Sequence, residues 1–350
     1  MDDTEFRILD TLSRDPGRDV SISGLTREIR RLHGTAHYAN TYRVLDRLRT
    51  EGIVGITKTG NSSLVSLDMG SRRTIDSLSE MELRKRRSLL SKREELQRLF
   101  DALSDGPAIG PTCLIDAERN ATLNRAELLL LLPNWAAGGD TDETLRETLR
   151  TVEGKLTMRI DALGLHDEGF RSLLAARDRN PLKEMLSRQT TLLAPDLFWN
   201  QIRNAWAHGI RIQFDRQETN PAKISGRDLV HNLRRFGYAE FGSEASGGQD
   251  FAIESLVTAL LLKGDARRIQ AIPAILAKNR ANYALLLFLS KKYGVQGELF
   301  GLLKVLANHR EDPDLRIALR GLANAGVREV PANEASIVKT MRTYHALEGT

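Results

Sequence analysis

The 350-residue sequence has little cysteine, few aromatic side chains and no long apolar run. Its single cysteine, Cys113, excludes an internal disulfide and a cysteine-cluster zinc site, and it fits a reducing compartment. No apolar run approaches the roughly 20 residues that a membrane-spanning helix requires. The first residues include Asp2, Asp3 and Glu5 and lack the basic-then-apolar order of a signal peptide. We therefore expect a soluble, cytoplasmic protein without a membrane segment.

The overall composition is that of an ordinary globular protein. Hydrophobic residues make up 41% and charged residues 28% of the chain, which is long enough for two or three domains that each bury a core. Aromatic residues make up only 5%, which favours helix-rich cores of leucine and alanine. The formal net charge of +5 is compatible with a nucleic-acid partner but does not require one.

The residues from Ser21 to Asp68 carry the strongest local pattern. Apolar residues at three- and four-residue spacing predict two helices, joined at Gly34 by a short turn. After Gly52 the period changes to that of two strands, which flank a turn signal at Thr59–Ser62. A preceding helix over residues 3–14 packs beneath them, and Val20 and Ile22 add a short strand. This order predicts a winged helix-turn-helix, whose second helix enters the DNA major groove.

The charges of this region agree with that geometry. Residues 21–50 contain six arginines but only two acidic side chains. Arg and Asn side chains make bidentate contacts with base edges, and the basic and polar residues of the hairpin tip can contact phosphate or the minor groove. The predicted DNA contacts are Arg27, Arg30, Arg31, His37, Asn40, Tyr42, Arg43, Arg47, Lys58, Asn61 and Ser62.

The run TYRVLDRLRTEGIV resembles the recognition helix and wing entry of winged-helix DNA-binding regulators of archaeal type. That resemblance covers the first fifth of the chain, and Thr35–Tyr38 departs from the usual small-polar entry to the helix. It implies a regulator that binds double-stranded DNA, and the helices that follow this region lead us to expect a homodimer. Helix-turn-helix folds also occur as protein–protein modules, so this alternative remains open.

Residues 71–105 contain neither proline nor glycine, and their apolar residues predict one long amphipathic helix. We expect this helix to serve as a linker or dimerisation element. Its basic block, Arg84–Arg87, has two interpretations. It contacts the DNA backbone, or it forms a solvated face balanced by nearby glutamates.

Residues 106–216 alternate between strand and helix patterns and predict a small α/β domain. Their order resembles a minimal nucleotidyltransferase, in which three carboxylates hold divalent cations. In the run NRAELLLLLP, Glu127 matches the second acid and Asp161 matches the third, but Arg125 stands where the first belongs. The family's Gly-Ser turn is missing as well, since Ile115-Asp116-Ala117 occupies its place. The resemblance therefore implies a degenerate, inactive copy with Glu127 and Asp161 as its fallback catalytic residues. An unrelated α/β sensor domain is the alternative.

A second motif lies in the run RNAWAH. Arg203 and His208 match the Arg-Asn-x-x-x-His signature of small helical ribonucleases similar to the HEPN family, in which these two residues act on RNA at a dimer interface. The alternative is an amphipathic helix with Trp199, Ile202 and Trp206 in the core and Arg203 outside.

The remaining residues, 217–350, read as a series of amphipathic helices that form a bundle for interaction or dimerisation. The predicted fold is thus multidomain and mainly α. Its domains are a winged helix (1–70), a long linker helix (71–105), a nucleotidyltransferase-like α/β domain (106–216) and a helical domain (217–350). We expect a sequence-specific transcriptional regulator without metal or cofactor, with a possible protein partner for the last domain. The alternatives are a nucleotidyltransferase-type enzyme or toxin–antitoxin component, and a HEPN-like ribonuclease.

Overall fold

The computed structural model describes residues 1–106, 110–117, 124–132, 141–214, 219–239 and 247–346, without the side chains of 141–147. It shows a mixed α/β protein with two small sheets, one of three strands and one of four. The chain divides into two compact units. Unit 1 comprises Met1–Ala175 and Leu182–Gln217, and unit 2 comprises Ala176–Pro181 and Glu218–Thr350. Residues 215–218, where we predicted a domain boundary, lie outside the described residues.

Residues 1–70, which we call the N-terminal module, form three helices and a hairpin. The elements are α1 (Asp3–Ser13), β1 (Val20–Ser21), α2 (Ile22–His33), α3 (Tyr38–Thr50), β2 (Val54–Thr59) and β3 (Ser62–Leu67). The side chain of Ser21 accepts a hydrogen bond from the Gly24 N–H and so caps α2 at its start. Gly34 ends that helix with φ of +82°, a conformation in which a side chain would be strained.

The three-stranded sheet of this module is antiparallel in the order β1-β3-β2. Val20 pairs with Val65 as predicted, but Ile22, which we expected in the same strand, is the first residue of α2. The hairpin pairs Thr59 with Ser62 across Gly60 and Asn61. The helices close over one face, where Leu9, Leu25 and Leu45 are completely buried. The order of helix, strand, two helices and hairpin therefore agrees with the sequence pattern.

Our prediction of a single helix over residues 71–105 is wrong, because the structure has two helices there. These are α4 (Arg72–Leu90) and α5 (Glu94–Ser104), and Ser91–Arg93 form the turn between them. The break lets each helix bury its apolar stripe against the same chain, Leu78 and Met81 from α4 and Leu99 from α5. The pattern that we interpreted as a dimerisation seam is thus an intramolecular packing face.

The four-stranded sheet follows. Its elements are β4 (Thr112–Ile115), β5 (Arg125–Leu132), α6 (Thr141–Lys155), β6 (Arg159–His166), α7 (Asp167–Ala175), α8 (Pro181–Ser187), β7 (Gln189–Leu193) and α9 (Pro195–Ala207). The strand order is β6-β5-β4-β7; β5 and β6 are parallel, whereas β4 is antiparallel to both of its neighbours. Strand β5 is buried along nearly its whole length, which explains its continuous run of leucines. Helix α4 packs against β7 and α9, so this sheet and the N-terminal module share α4.

Unit 2 is helical in its described residues. After a short turn at Pro221–Lys223, its helices are α10 (Gly226–Arg235), α11 (Ile253–Lys263), α12 (Ala266–Ile269), α13 (Ala271–Lys278), α14 (Tyr283–Tyr293), α15 (Gln296–Ala307), α16 (Pro313–Asn324) and α17 (Glu334–Thr343). Their leucines, isoleucines and alanines form one core. Pro273 lies in the first turn of α13, where its missing N–H would have had no helical partner. No helix in the described parts of the chain is long and apolar enough to span a bilayer.

Candidate functional site

Helix α3 has one buried side and one exposed side. Thr41, Val44, Leu45 and Leu48 are buried against the module, whereas Tyr42 and Arg43 point outward. Tyr38 and Tyr42 are half-exposed, at 53% and 51%, and their rings stack with centroids 6.4 Å apart. Adjacent exposed aromatic rings form a small apolar patch, and such patches are typical of contact sites, so the outer side of α3 is a candidate contact surface.

The residues that we predicted as base contacts on α3 divide into two groups. Arg43 is exposed, and its guanidinium donates a 2.9 Å hydrogen bond to Asn40 Oδ1, which fixes its direction. Asn40 and Arg47 instead turn toward α1. The Asn40 amide donates to Thr4 Oγ1 at 2.8 Å, and Arg47 lies 2.9 Å from carboxylate oxygens of both Asp2 and Glu5.

These contacts give Arg47 a structural partner within the module. The Glu5 N–H, and then Arg47, hold the pKa of Asp2 below its ordinary value. The hydrogen bond to Asp2 likewise raises the pKa of Arg47. Its side chain remains about half-exposed, so it combines a protein partner with access to solvent.

The arginines of α2 lie on its exposed side. Arg27, Arg30 and Arg31 are all exposed, and Arg30 donates a 3.0 Å hydrogen bond to the Ala36 carbonyl in the turn before α3. Arg31 lies 3.9 Å from Glu28. His37, directly before α3, is exposed and provides no side-chain cap for the helix. Arg30 therefore braces the turn, whereas Arg27 carries its charge into solvent.

The hairpin tip presents the three residues that the sequence assigned to it. Lys58, Asn61 and Ser62 are exposed around Gly60, whose φ of +59° makes the tight turn. The N-terminal module thus has two exposed polar surfaces, one on α2 and α3 and one at the hairpin tip.

The second sheet brings together the three residues that the nucleotidyltransferase resemblance singled out. Glu127 and Asp161 are directly paired across the parallel strands β5 and β6, and Arg125 lies two residues before Glu127 on the same face. Arg125 Nε is 2.5 Å from Asp161 Oδ2, and its Nη2 is 3.4 Å from Glu127 Oε1. Arg159 adds a second guanidinium, 3.1 Å from Asp161 Oδ1.

This cluster is a closed set of ion pairs rather than an open cation site. Asp161 is fully buried and Glu127 nearly so, and guanidinium groups contact both carboxylates. An arginine stays charged at any accessible pH, so a divalent cation here would meet a fixed positive charge. Among the described residues, no three metal-ligating side chains converge.

Arg203 and His208 do not form a pair. Five residues on a helix rotate by about 140°, which places the two side chains on different sides of α9. His208 Nδ1 lies 2.7 Å from the Asn204 carbonyl and is exposed, whereas Arg203 is half-buried. Trp199 and Ile202 are in the core as expected, but our placement of Trp206 there is wrong, because that side chain is 46% exposed.

Sequence reasoning missed a set of buried charges on α4. Three of the four residues in the basic block Arg84–Arg87 have internal partners. Arg84 pairs with Asp3 and covers the Phe6 ring, Lys85 pairs with Asp10 and Glu82, and Arg86 donates to the Leu192 carbonyl. Arg87, the fourth, is exposed. The interpretation as a solvated face is therefore wrong for Lys85, whose side chain is only 15% exposed, whereas Arg84 stays 40% exposed beside Asp3. The available signal was Asp10, an acid inside the apolar stripe of α1.

Comparisons with known proteins found no relative from which a function could be inferred. No protein-family model matches the sequence, and neither a curated protein nor a solved structure matches the chain.

Proposed function

We propose that this protein is a sequence-specific DNA-binding transcriptional regulator that inserts α3 into the major groove and lays the hairpin tip along the backbone. The observation that supports this proposal most strongly is the outer side of α3. It combines Arg43, oriented by Asn40, with the exposed Tyr38–Tyr42 pair. Residues at the start of a recognition helix are those that reach base edges, and guanidinium groups are suited to guanine.

The contacts within the module support different roles for the predicted residues. In this proposal Arg43 and Tyr42 read bases, while Arg27, Arg31 and Lys58 contact phosphates. Arg47 contributes mainly by holding α3 against α1, since Asp2 and Glu5 already neutralise it. His37, Asn61 and Ser62 are exposed beside these residues and complete the contact set.

The other regions serve association or sensing in this proposal. A homodimer would place two recognition helices at half-sites about one DNA turn apart. The unit 2 helices are the candidate element for dimerisation or for a protein partner. The second sheet does no metal-dependent nucleotide transfer, because Arg125 occupies the space between its carboxylates. Magnesium-dependent labelling of the protein or of RNA by a labelled triphosphate, abolished in Glu127→Gln, would favour the enzyme alternative.

Arg43→Ala tests the assignment of α3. A preferred duplex is first selected from random sequence with the wild-type protein, and affinities are then measured at fixed salt. We expect Arg43→Ala to weaken binding by about 1–3 kcal/mol and to relax the preference at one position. Arg98→Ala removes the same charge from the exposed side of α5 and should leave the affinity unchanged.

Two results would contradict the proposal. If Arg43→Ala binds the selected duplex with full affinity and has an unchanged circular dichroism spectrum, α3 does not enter the major groove. If sedimentation shows only one protein chain per duplex, the protein does not bind as a homodimer.

A further inference from the structure

A line of buried charges crosses unit 1 from α1 through α4 to β7. Lys85 Nζ lies 3.3 Å from Asp10 Oδ1 and 3.4 Å from Glu82 Oε1, and it donates a 3.0 Å hydrogen bond to the Gln189 carbonyl. The Asp10 and Glu82 side chains are almost completely buried, and Lys85 is 15% exposed. We call these three residues the charge relay.

Each end of the charge relay reaches an element with a different predicted role. Asp10 Oδ2 lies 3.3 Å from Nε2 of His33, the last residue of α2, and 3.3 Å from Nη2 of Arg14. At the other end, Glu82 accepts hydrogen bonds from the Thr191 N–H at 2.9 Å and from the Gln189 amide at 3.2 Å. The relay therefore connects the helix-turn-helix to an edge strand of the second sheet.

The members of the relay depend on one another electrostatically. Burial favours the neutral form of a carboxyl and raises the pKa of Glu82, and Lys85 opposes that effect. Burial acts on Asp10 in the same direction, but Lys85, His33 and Arg14 together hold its pKa below its ordinary value. If Lys85 moves, the ionised forms of Asp10 and Glu82 therefore both lose or gain stabilisation at the same time.

We propose that the charge relay couples the end of α2 to β7, so that a perturbation of either element changes the local stability of the other. A set of isolated ion pairs would hold α4 in place without this transmission. Coupling of this kind is reciprocal, so its effect has to be visible from both ends. This proposal concerns coupling within unit 1 rather than DNA binding, and its test requires no DNA.

Amide hydrogen exchange on the full chain tests the proposal from each end. Gln189→Ala removes one hydrogen bond to Glu82, and we expect exchange in residues 22–33 to become about fivefold faster or more, the lower range of coupling between sites. His33→Ala should accelerate exchange in residues 189–193 in return. Thr190→Ala is the matched control, because adjacent strand residues point to opposite faces.

The double variant Lys85→Met/Gln189→Ala separates transmission from general loosening. With Lys85 removed, adding Gln189→Ala should no longer change exchange in residues 22–33. Persistence of the Gln189→Ala effect on α2 in the Lys85→Met background would overturn the role of the relay. If Lys85→Met does not fold, the single variants decide, since unchanged exchange of α2 in Gln189→Ala contradicts the proposal alone. Arg87→Met, on the exposed side of α4, controls for loss of a positive charge.

Discussion

The three-stranded sheet and the four-stranded sheet lie in one unit, yet the arginines beside them have opposite environments. In the N-terminal module, Arg27 and Arg43 are exposed on helices, and a hydrogen bond to the neighbouring Asn40 orients Arg43. In the second sheet, Arg125 is largely buried between Glu127 and Asp161. An exposed guanidinium can exchange its water for a phosphate or a base edge, whereas a buried one must first leave its carboxylates. The difference indicates that only the first set is available to a ligand.

Arg125→Met tests the buried side of the comparison and has the largest expected effect. The substitution leaves Glu127 and Asp161 buried beside each other without their shared cation. Breaking a buried ion pair in this way costs about 3–5 kcal/mol of unfolding free energy. Denaturant titration followed by tryptophan fluorescence measures the loss in unit 1, because the unit 2 sequence contains no tryptophan.

The neighbouring Arg159 supplies the control for that measurement. It also contacts Asp161, but its side chain is 54% exposed. Arg125 remains beside Asp161 when the half-exposed Arg159 is removed, so Arg159→Met should cost about 1 kcal/mol or less. Equal losses for the two variants would mean that burial does not distinguish them, and the comparison would fail.

Glu254→Gln extends the comparison to a second kind of buried acidic side chain. Glu254 accepts a hydrogen bond from a backbone N–H, whereas Glu127 and Asp161 are paired with guanidinium groups. Glu254 in α11 accepts a 2.6 Å hydrogen bond from the Asn282 N–H, and burial raises its pKa to about 7. The folded state therefore holds a proton between about pH 4.5 and 7 that the unfolded chain has released. Over this window the Glu254 contribution to stability falls as pH rises, and above it the contribution levels off.

A glutamine keeps the acceptor and removes the titration. We expect Glu254→Gln to be more stable than wild type by about 1–3 kcal/mol at pH 8 and near wild type at pH 4.5. Unfolding of unit 2, monitored by far-ultraviolet circular dichroism at several pH values, measures this difference. Glu298→Gln, exposed on α15, removes the same charge as a control. A stability difference that is independent of pH would contradict the assignment to Glu254.

How far the sequence predicts these environments depends on the distance between partners along the chain. The period of α3 predicts its buried face, and the leucine run predicts β5, because both patterns are local. The partners of Arg47 are more than 40 residues away, at the N-cap and in the first turn of α1, so the sequence pattern placed this residue among the DNA contacts. The pairing of Glu127 with Asp161 depends on a strand register that spacing alone does not determine.

Two further features of the structure, strand β7 and the break between α4 and α5, were not predicted from the sequence, and both depend on short segments. Strand β7 has only five residues, QTTLL, and its buried glutamine and threonine bond to Glu82 and to each other, so it shows no apolar run. The break between α4 and α5 occurs at Ser91–Arg93, where good helix formers are interrupted by packing of α5 against the second sheet. Tertiary contacts therefore override helix propensity at this point.

Lys58→Ala tests the exposed side of the comparison and has the smallest expected effect. Lys58 lies at the hairpin tip as a solvated point charge, which suits phosphate contact without sequence discrimination. We expect affinity to fall equally for selected and random duplexes, and the slope of log affinity against log salt to shrink by about 1. Lys92→Ala, in the exposed turn after α4, should leave the slope unchanged. A loss confined to the selected duplex would make Lys58 a base contact, and an unchanged slope would remove the hairpin tip from the DNA interface.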